Sequence, residues 1–301
     1  MKYLKIGTRQ QVFEYFRDNM LTGVGYAADE GKPVYYNSPA GCVEFKPHVA
    51  GQTCTLQINL GQLQKNVGNG WETYTANSVI TFTQPIYLRG IGTDSIINKS
   101  FVMTGEVECH GNILALLDYN TEFHTVRQYC FATLFKNCAS LITAPDCSMI
   151  KTFGGYPSIF QQCFYGCTSL KTAPKLPNIE CTENCYLQCF HGCTSLKAAP
   201  ELPATTLAEK CYELMFYGCT SLKAAPELPA TTLAEKCYGE MFSGCTSLRI
   251  IKMLATDVSA SACLSNWLNG VNDKGLIAAP AGTSLPMGNS GVPTGWTRCN
   301  I

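Results

Sequence analysis

The sequence predicts an α+β protein in which a small N-terminal β-rich, sandwich-like domain precedes a solenoid of 26-residue units. The tetrapeptide Cys-Thr-Ser-Leu begins at residues 167, 193, 219 and 245, at equal intervals of 26 residues. A fixed period of this length is typical of stacked repeat architectures. Upstream of the repeats, short alternating apolar and polar runs lie between Gly and Asn turns, which favours β-strands.

These patterns divide the chain into four predicted segments. They are a helix and linker at 1–41, a β-rich domain at 42–125, the repeats at 126–270 and a C-terminal cap at 271–301. The N-terminal helix is predicted because Thr8 and Gln11 match a capping box before a short amphipathic stretch. Degenerate copies at Cys138 and at 267–270 flank the regular units, as expected where a stacked core must be closed at its ends.

Each unit is predicted to contain a strand, a Pro-rich arc, a short helix and a turn. The stretch SLKAA predicts a strand with Leu196 pointing inward and Lys197 outward. Two prolines exclude a helix from the arc that follows. Residues 207–219 are predicted to be helical, because apolar residues from Leu207 to Met215 recur at four-residue spacing. Stacking then places the strands side by side in a parallel sheet.

Five of the 18 cysteines share the C-x-x-L position of the units. We predict that they form a structural ladder of buried thiols that cap backbone carbonyls: Cys138, Cys167, Cys193, Cys219 and Cys245. Equivalent cysteines about 4.8 Å apart with parallel Cβ vectors are poorly placed for disulfides, which favour facing Cβ atoms about 3.8 Å apart. So many free thiols favour folding in a reducing cytoplasm.

Four further thiols follow C-x3-C spacing, which raises the alternative of a metal site: Cys181, Cys185, Cys189 and Cys193. In the next units, however, Leu207 replaces the first of them and Met215 the third, so these positions are predicted to face an apolar core. Thiols spread over three helical turns also cannot converge on one ion. The sequence therefore predicts neither a metal site nor a cofactor.

Composition excludes several functional classes. Lys plus Arg equals Asp plus Glu, at 22 each, which gives no electrostatic basis for a nucleic-acid partner. No apolar run is long enough for a membrane span. The four histidines share no spacing with a nucleophile or a carboxylate pair, and no P-loop or G-x-S-x-G motif occurs. We therefore predict no catalytic residues and no enzymatic activity.

One surface feature could carry a function. Cationic residues occupy the same strand position in four units: Lys171, Lys197, Lys223 and Arg249. Parallel stacking would align them outward about 4.8 Å apart. They are either a solvated ladder that prevents self-association or a basic stripe that binds an acidic glycan or protein.

The stretch MFYGCTSLKAAPELPATTLAEKCY (215–238) resembles the BspA-like, cysteine-containing leucine-rich repeats of surface-associated and phage-borne proteins of gut bacteria. The tail NWLNGV…GVPTGWT (266–297) is similar to the usual close of such repeats. From about residue 71, the sequence also resembles the β-rich segment that often precedes them. The resemblance implies a non-catalytic leucine-rich-repeat solenoid used for binding or adhesion.

The first functional hypothesis is a non-enzymatic recognition or attachment scaffold that binds a protein or glycan. It would fold in the cytoplasm and end on a phage virion or at the cell exterior without Sec export, since the first residues show no signal peptide. It could be a homo-oligomer or attach through its N-terminal region. The alternatives are a bacterial cell-surface adhesin whose signal sequence was removed, and an enzyme whose repeats position a substrate.

Overall fold

The computed structural model describes residues 41–60, 62–92, 99–119, 126–288 and 291–301. The predicted N-terminal helix, and all but the last residue of the linker, lie outside the described residues. Within the described ranges, no helix combines the length and the apolar character needed to cross a membrane.

Strands make up nearly all of the regular secondary structure in the described ranges. In the N-terminal half they are β1 (Val43–Pro47), β2 (Cys54–Ile58), β3 (Leu63–Asn66), β4 (Glu72–Thr73), β5 (Ile80–Phe82), β6 (Ile86–Gly90), β7 (Phe101–Thr104) and β8 (Val107–Gly111). A 3₁₀-helix, Ile113–Leu116, follows β8. The remaining strands are β9 (Leu141–Thr143), β10 (Ala224–Leu228), β11 (Ile250–Met253), β12 (Leu276–Ala279) and β13 (Thr297–Asn300).

The predicted α+β leucine-rich-repeat solenoid is wrong, because the described residues contain no α-helix. Their strands lie in three sheets, ordered β4-β3-β6-β1-β8-β9, β5-β2-β7 and β10-β11-β12-β13. The expected β-rich character of the N-terminal region agrees with the first two sheets. The error lies in the segment of each unit that was predicted to be helical.

That segment, residues 207–219 in one unit, is a ribbon of consecutive turns. The N–H of Cys211 donates to the carbonyl of Ala208 within the unit, at 3.3 Å, whereas the N–H of Tyr212 donates to the carbonyl of Cys237 in the next unit, at 3.1 Å. This alternation continues to the end of the ribbon. An α-helix would instead bond each N–H four residues back. Every second donor is therefore satisfied by the neighbouring unit.

The turn ribbon also adopts a left-handed backbone at every fourth residue. In one unit, the φ angles of Lys210, Leu214 and Gly218 are 53°, 56° and 69°. For residues other than glycine, the left-handed conformation costs roughly 1–2 kcal/mol each. Hydrogen bonds between units offset this cost, so the ribbon depends on stacking. The four-residue apolar spacing thus marks one side of a turn ribbon and not the face of a helix.

The repeats continue directly from the N-terminal sheets. Strand β9 belongs to the first degenerate unit and pairs in parallel with β8, with Val107 opposite Leu141. At the other end, β10 to β13 form a parallel sheet. The units between are joined on this side by isolated bridges such as Thr172 with Ala198. Pro226 coincides with a register shift in β10, since proline has no N–H to donate.

The core consists largely of two columns of stacked aromatic rings. Adjacent centroids in the first column are 5.1–5.7 Å apart, and its members are Phe101, Phe135, Phe164, Phe190, Phe216 and Phe242. Those in the second are 5.4–6.1 Å apart, and its members are Phe131, Phe160, Tyr186, Tyr212 and Tyr238. These distances suit offset stacking. Because Phe101 lies on β7, one apolar core joins the sheets to the repeats.

Candidate functional site

The structure brings the four predicted cationic residues onto one exposed column, here named the basic column: Lys171, Lys197, Lys223 and Arg249. All four side chains are exposed. The N–H of Lys197 donates to the carbonyl of Lys171 at 3.5 Å, and the N–H of Arg249 donates to the carbonyl of Lys223 at 2.9 Å. Main-chain bonds between units therefore keep the two members of each of these pairs adjacent.

The basic column differs from other cationic positions in its electrostatic surroundings. Lys252 pairs with Glu227 at 2.8 Å, and Lys65 pairs with Glu72 at 3.2 Å. Within the part of the chain that the structure describes, no residue of the basic column forms an ion pair. Its charges are directed to solvent, which allows them to contact an external anion.

The ladder cysteines are buried and connect successive units. Each thiol lies 3.0–3.1 Å from the carbonyl oxygen of the first-column phenylalanine one unit earlier. In one example, Cys193 Sγ donates to Phe164 O, which also accepts the N–H of Cys167. Both lone pairs of that carbonyl are then used. Burial raises the pKa of Cys138 and Cys245 to about 12, so these thiols stay protonated and can donate.

A second charged cluster lies on the N-terminal sheet around Glu108. Antiparallel pairing of β1 with β8 places Lys46 directly opposite Glu108. Lys46 Nζ lies 2.8 Å and His110 Nε2 3.0 Å from Glu108 Oε2, while His48 Nδ1 lies 2.6 Å from Oε1. Only 15% of the Glu108 side chain is exposed. Both carboxylate oxygens are engaged, which indicates an ionic connection between the two strands.

In the sequence, the two histidines of this cluster share no motif with Glu108. The available signal was alternation: Lys46 and His48 are two residues apart at the end of one strand, and Glu108 and His110 are two apart on another. Residues spaced by two share a face of a sheet. The pairing register of the strands was needed to bring the two sets together.

The cluster controls the ionisation of Glu108. Burial alone would raise its pKa, but hydrogen bonds from Lys46, His48 and His110 stabilise the carboxylate and lower the pKa from 4.5 to about 2. A carboxylate with a depressed folded-state pKa stabilises the fold above its unfolded-state pKa. That contribution is lost as the pH falls from about 4.5 towards 2.

We therefore expect Glu108→Gln to destabilise the protein at neutral pH and to lose this effect in acid. The difference between wild type and variant in the free energy of unfolding should shrink as the pH falls from 4.5 towards 2. Urea denaturation at a series of pH values measures it. Glu106→Gln, on the same chain segment but outside the cluster, controls for the loss of one carboxylate. A difference independent of pH over this range would contradict the ionic role of Glu108.

The described residues also form an open groove of about 780 Å³ beside the last unit. Its lining includes Asp273, Lys274 and Gly275, and the next residue, Leu276, donates its N–H to the carbonyl of Arg249 at 2.7 Å. The groove therefore begins where the basic column ends. Because it carries charges of both signs, it has less preference for an anion than the column does.

Among the described residues, no group of three or more His, Cys, Asp or Glu side chains is arranged to hold a metal ion.

Comparisons with protein-family models, curated proteins and solved structures each give no match for this chain. Among the described residues, the geometry of the chain favours the basic column as the candidate site.

Proposed function

We propose that this chain is a non-enzymatic recognition or attachment protein whose basic column binds an acidic partner, either an acidic glycan or an acidic protein surface. One observation carries the proposal. Cationic side chains are exposed at equivalent positions in four consecutive units and form no ion pair among the described residues. If these charges only kept the surface soluble, dispersed charges of either sign would suffice. The four charges of this column are instead all positive.

The repeat geometry favours binding through several contacts at once. A single exposed ion pair contributes about 0.2–1 kcal/mol. When the charges are carried by one stack, the second and later contacts form at high effective concentration. Because the side chains project from a hydrogen-bonded main chain, little backbone entropy is lost on binding. An extended polyanion with regularly spaced charges is the partner that uses this arrangement best.

Acidic side chains near the column do not cancel it. Glu201 and Glu227 lie four residues after Lys197 and Lys223 and repeat with them. The carboxylate of Glu227 already pairs with Lys252 at 2.8 Å, so its charge is neutralised locally. Although the whole chain has a formal net charge of zero, the basic column sets four cations against the one remaining carboxylate, that of Glu201, and is thus locally cationic.

The test is a double charge reversal, Lys197→Glu with Lys223→Glu, probed with a sulfated polysaccharide and with an acidic polypeptide. We expect a loss of affinity between about fourfold and several hundredfold, because each of the two contacts loses an attraction of roughly 0.2–1 kcal/mol and gains a repulsion of similar size. Binding by the wild type should also weaken as salt rises, since the Debye length is only about 8 Å at physiological ionic strength. Titration calorimetry at two salt concentrations measures both effects.

The matched control reverses two exposed lysines outside the column, Lys151→Glu with Lys274→Glu, and so makes the same change in net charge. It should retain most of the affinity, and thermal unfolding should show that both double variants remain folded. Equal losses in the two variants would mean that only net charge matters. If neither probe binds the wild type, or if binding is indifferent to salt and to the column reversal, the proposal is wrong.

A further inference from the structure

Within the described residues, the last turn ribbon (259–270) has no further ribbon stacked on it. In the earlier units, alternate N–H groups of one ribbon donate to carbonyls of the next, as the N–H of Tyr238 does to Cys263 O at 3.1 Å. The corresponding N–H groups of the last ribbon have no hydrogen-bond partner among the described residues: Ala262, Leu264, Asn266, Leu268 and Gly270.

Such a row of unused donors is uncommon, because nearly all main-chain N–H groups in folded proteins find a partner. The same ribbon contains one more unused donor, the indole N–H of Trp267. This side chain is fully buried, and its nitrogen has no hydrogen-bond partner among the described residues. The last ribbon therefore has unused donors both along its main chain and in a side chain that is screened from solvent.

Open space lies beside this row of donors. Strand β13 pairs with β12, the strand that follows the last ribbon, so the sheet side of the stack is one layer longer than the ribbon side. The outward side of residues 259–270, here named the ribbon shelf, borders two open grooves. One of about 390 Å³ has Ala262 and Asn266 on one wall and Ser284 and Pro286 on the other. The other, of about 780 Å³, begins at Leu268.

The side chains of the ribbon shelf allow another main chain to approach closely. Those that are exposed are small or uncharged: Ser261, Ala262, Ser265, Asn266, Asn269 and Gly270. At the corresponding positions, the preceding ribbon includes three charged residues, Glu235, Lys236 and Glu240. A segment that docks on the last ribbon therefore does not have to remove a charged side chain from water, which would be costly.

The hydrogen-bonding pattern argues against a second copy of this chain as the occupant. Carbonyls of the last ribbon, such as Cys263 O, already accept from the preceding unit, and others accept within the ribbon. Two ribbon shelves would therefore bring donors against donors. The first unit is also unsuited to dock there, because Leu134 O already accepts the N–H of Phe101 and β9 pairs with β8.

A polypeptide main chain matches the row of donors. Inside the stack, every equivalent row binds the carbonyls of another segment, one at every second residue. An extended peptide likewise presents carbonyls on one side at every second residue, which is how peptides add to the free edges of sheets. A small anion would engage only one or two of these donors.

We propose that the ribbon shelf is a docking site for an extended polypeptide segment of a partner protein. The main-chain carbonyls of this segment take the place of a further unit and accept the five N–H groups. This proposal is independent of the basic column and of any acidic partner.

Hydrogen exchange at single amides, measured by NMR on the full chain, tests the geometry. Without a partner, the five amides of the ribbon shelf should exchange at least about a hundredfold faster than their equivalents in the preceding ribbon, because only the latter are hydrogen-bonded. These equivalents are Lys236, Tyr238, Glu240, Phe242 and Gly244. Equal protection of the two rows in the free chain would contradict the proposal.

A synthetic peptide that copies the ribbon 233–245 tests the docking. It is acetylated and amidated, so that its ends carry no charge, and is added in excess under reducing conditions. Exchange at the five amides should slow at least about tenfold. The variant Ser265→Glu with Asn269→Glu should abolish this protection, because its carboxylates compete for the donors and repel the carbonyls of the peptide. Thr194→Glu with Thr220→Glu, which adds the same charge at exposed positions inside the stack, should retain it.

Three outcomes would overturn the proposal, and none of them depends on whether the variants fold. The first is that excess peptide leaves exchange in the wild type unchanged. The second is that sulfate or acetate protects the five amides as well as the peptide does, which would make the ribbon shelf an anion site. The third is that protection appears without peptide as the chain concentration rises, together with self-association in analytical ultracentrifugation.

Discussion

Phe190→Ala should lower the free energy of unfolding by about 3–5 kcal/mol, the range for removal of a buried aromatic side chain. Phe190 is fully buried in the first aromatic column, with its ring centroid 5.3 Å from that of Phe164 and 5.7 Å from that of Phe216. The substitution leaves a cavity in the middle of the stack and removes two ring contacts worth about 0.5–1.5 kcal/mol each beyond burial. Equilibrium denaturation in urea measures the loss.

Tyr217→Ala is the matched control for this prediction. Tyr217 is an aromatic residue of the next unit that stacks on His191 with centroids 4.7 Å apart, but it is only half-buried. Its removal should cost clearly less, because water can fill the space. Equal losses would contradict the assignment of the phenylalanine column as the principal core of the stack.

Leu222→Ala should cost about 2–5 kcal/mol, and the adjacent Lys223→Ala less than about 0.5 kcal/mol. Leu222 is fully buried, whereas Lys223 is exposed on the basic column. The alanine leaves a space that the tightly stacked units can fill only in part. Thermal or urea unfolding of both variants gives the comparison, and Lys223→Ala also serves as the control for a substitution in this segment.

The comparison of Leu222→Ala with Lys223→Ala tests on which side of the stack each of the two side chains lies. Two neighbouring residues can differ this strongly only if their side chains lie on opposite sides of the stack wall. Similar losses in the two variants would show that Lys223 contributes packing through its aliphatic stem, and that the division into inner and outer sides is less sharp than the burial of Leu222 indicates.

Sequence patterns predicted burial better than backbone conformation. Alternation in SLKAA indicated that Leu196 faces inward and Lys197 outward, and the structure has the first buried and the second exposed. The helix prediction for 207–219 failed because apolar spacing of four residues suits a turn ribbon as well as a helix. The distinction depends on hydrogen bonds to a unit about 25 residues away. A left-handed Leu214 is likewise imposed by stacking, against the local preference of leucine.

The candidate sites divide in the same way. The basic column could be recognised in the sequence, because one sign of charge recurs at the same position of four units. The cluster around Glu108 depends on which strands pair, and the carbonyl partners of the ladder cysteines depend on which units are adjacent. Both are non-local facts. Residues of like charge at equal spacing could be recognised in the sequence. Clusters of different residue types from distant positions could be recognised only in the folded chain.

The turn ribbon has an electrical consequence. Its main-chain hydrogen bonds between units all run in one direction: the N–H of Tyr186 donates to Cys211 O, that of Tyr212 to Cys237 O, and that of Tyr238 to Cys263 O. Every second peptide group in the ribbon is thus aligned along the stack, and the individual dipoles of about 3.5 D add. The N–H groups point towards the last unit. The positive end of the summed dipole therefore lies near Gly270, and its negative end lies near the first unit. Each further unit would lengthen this dipole.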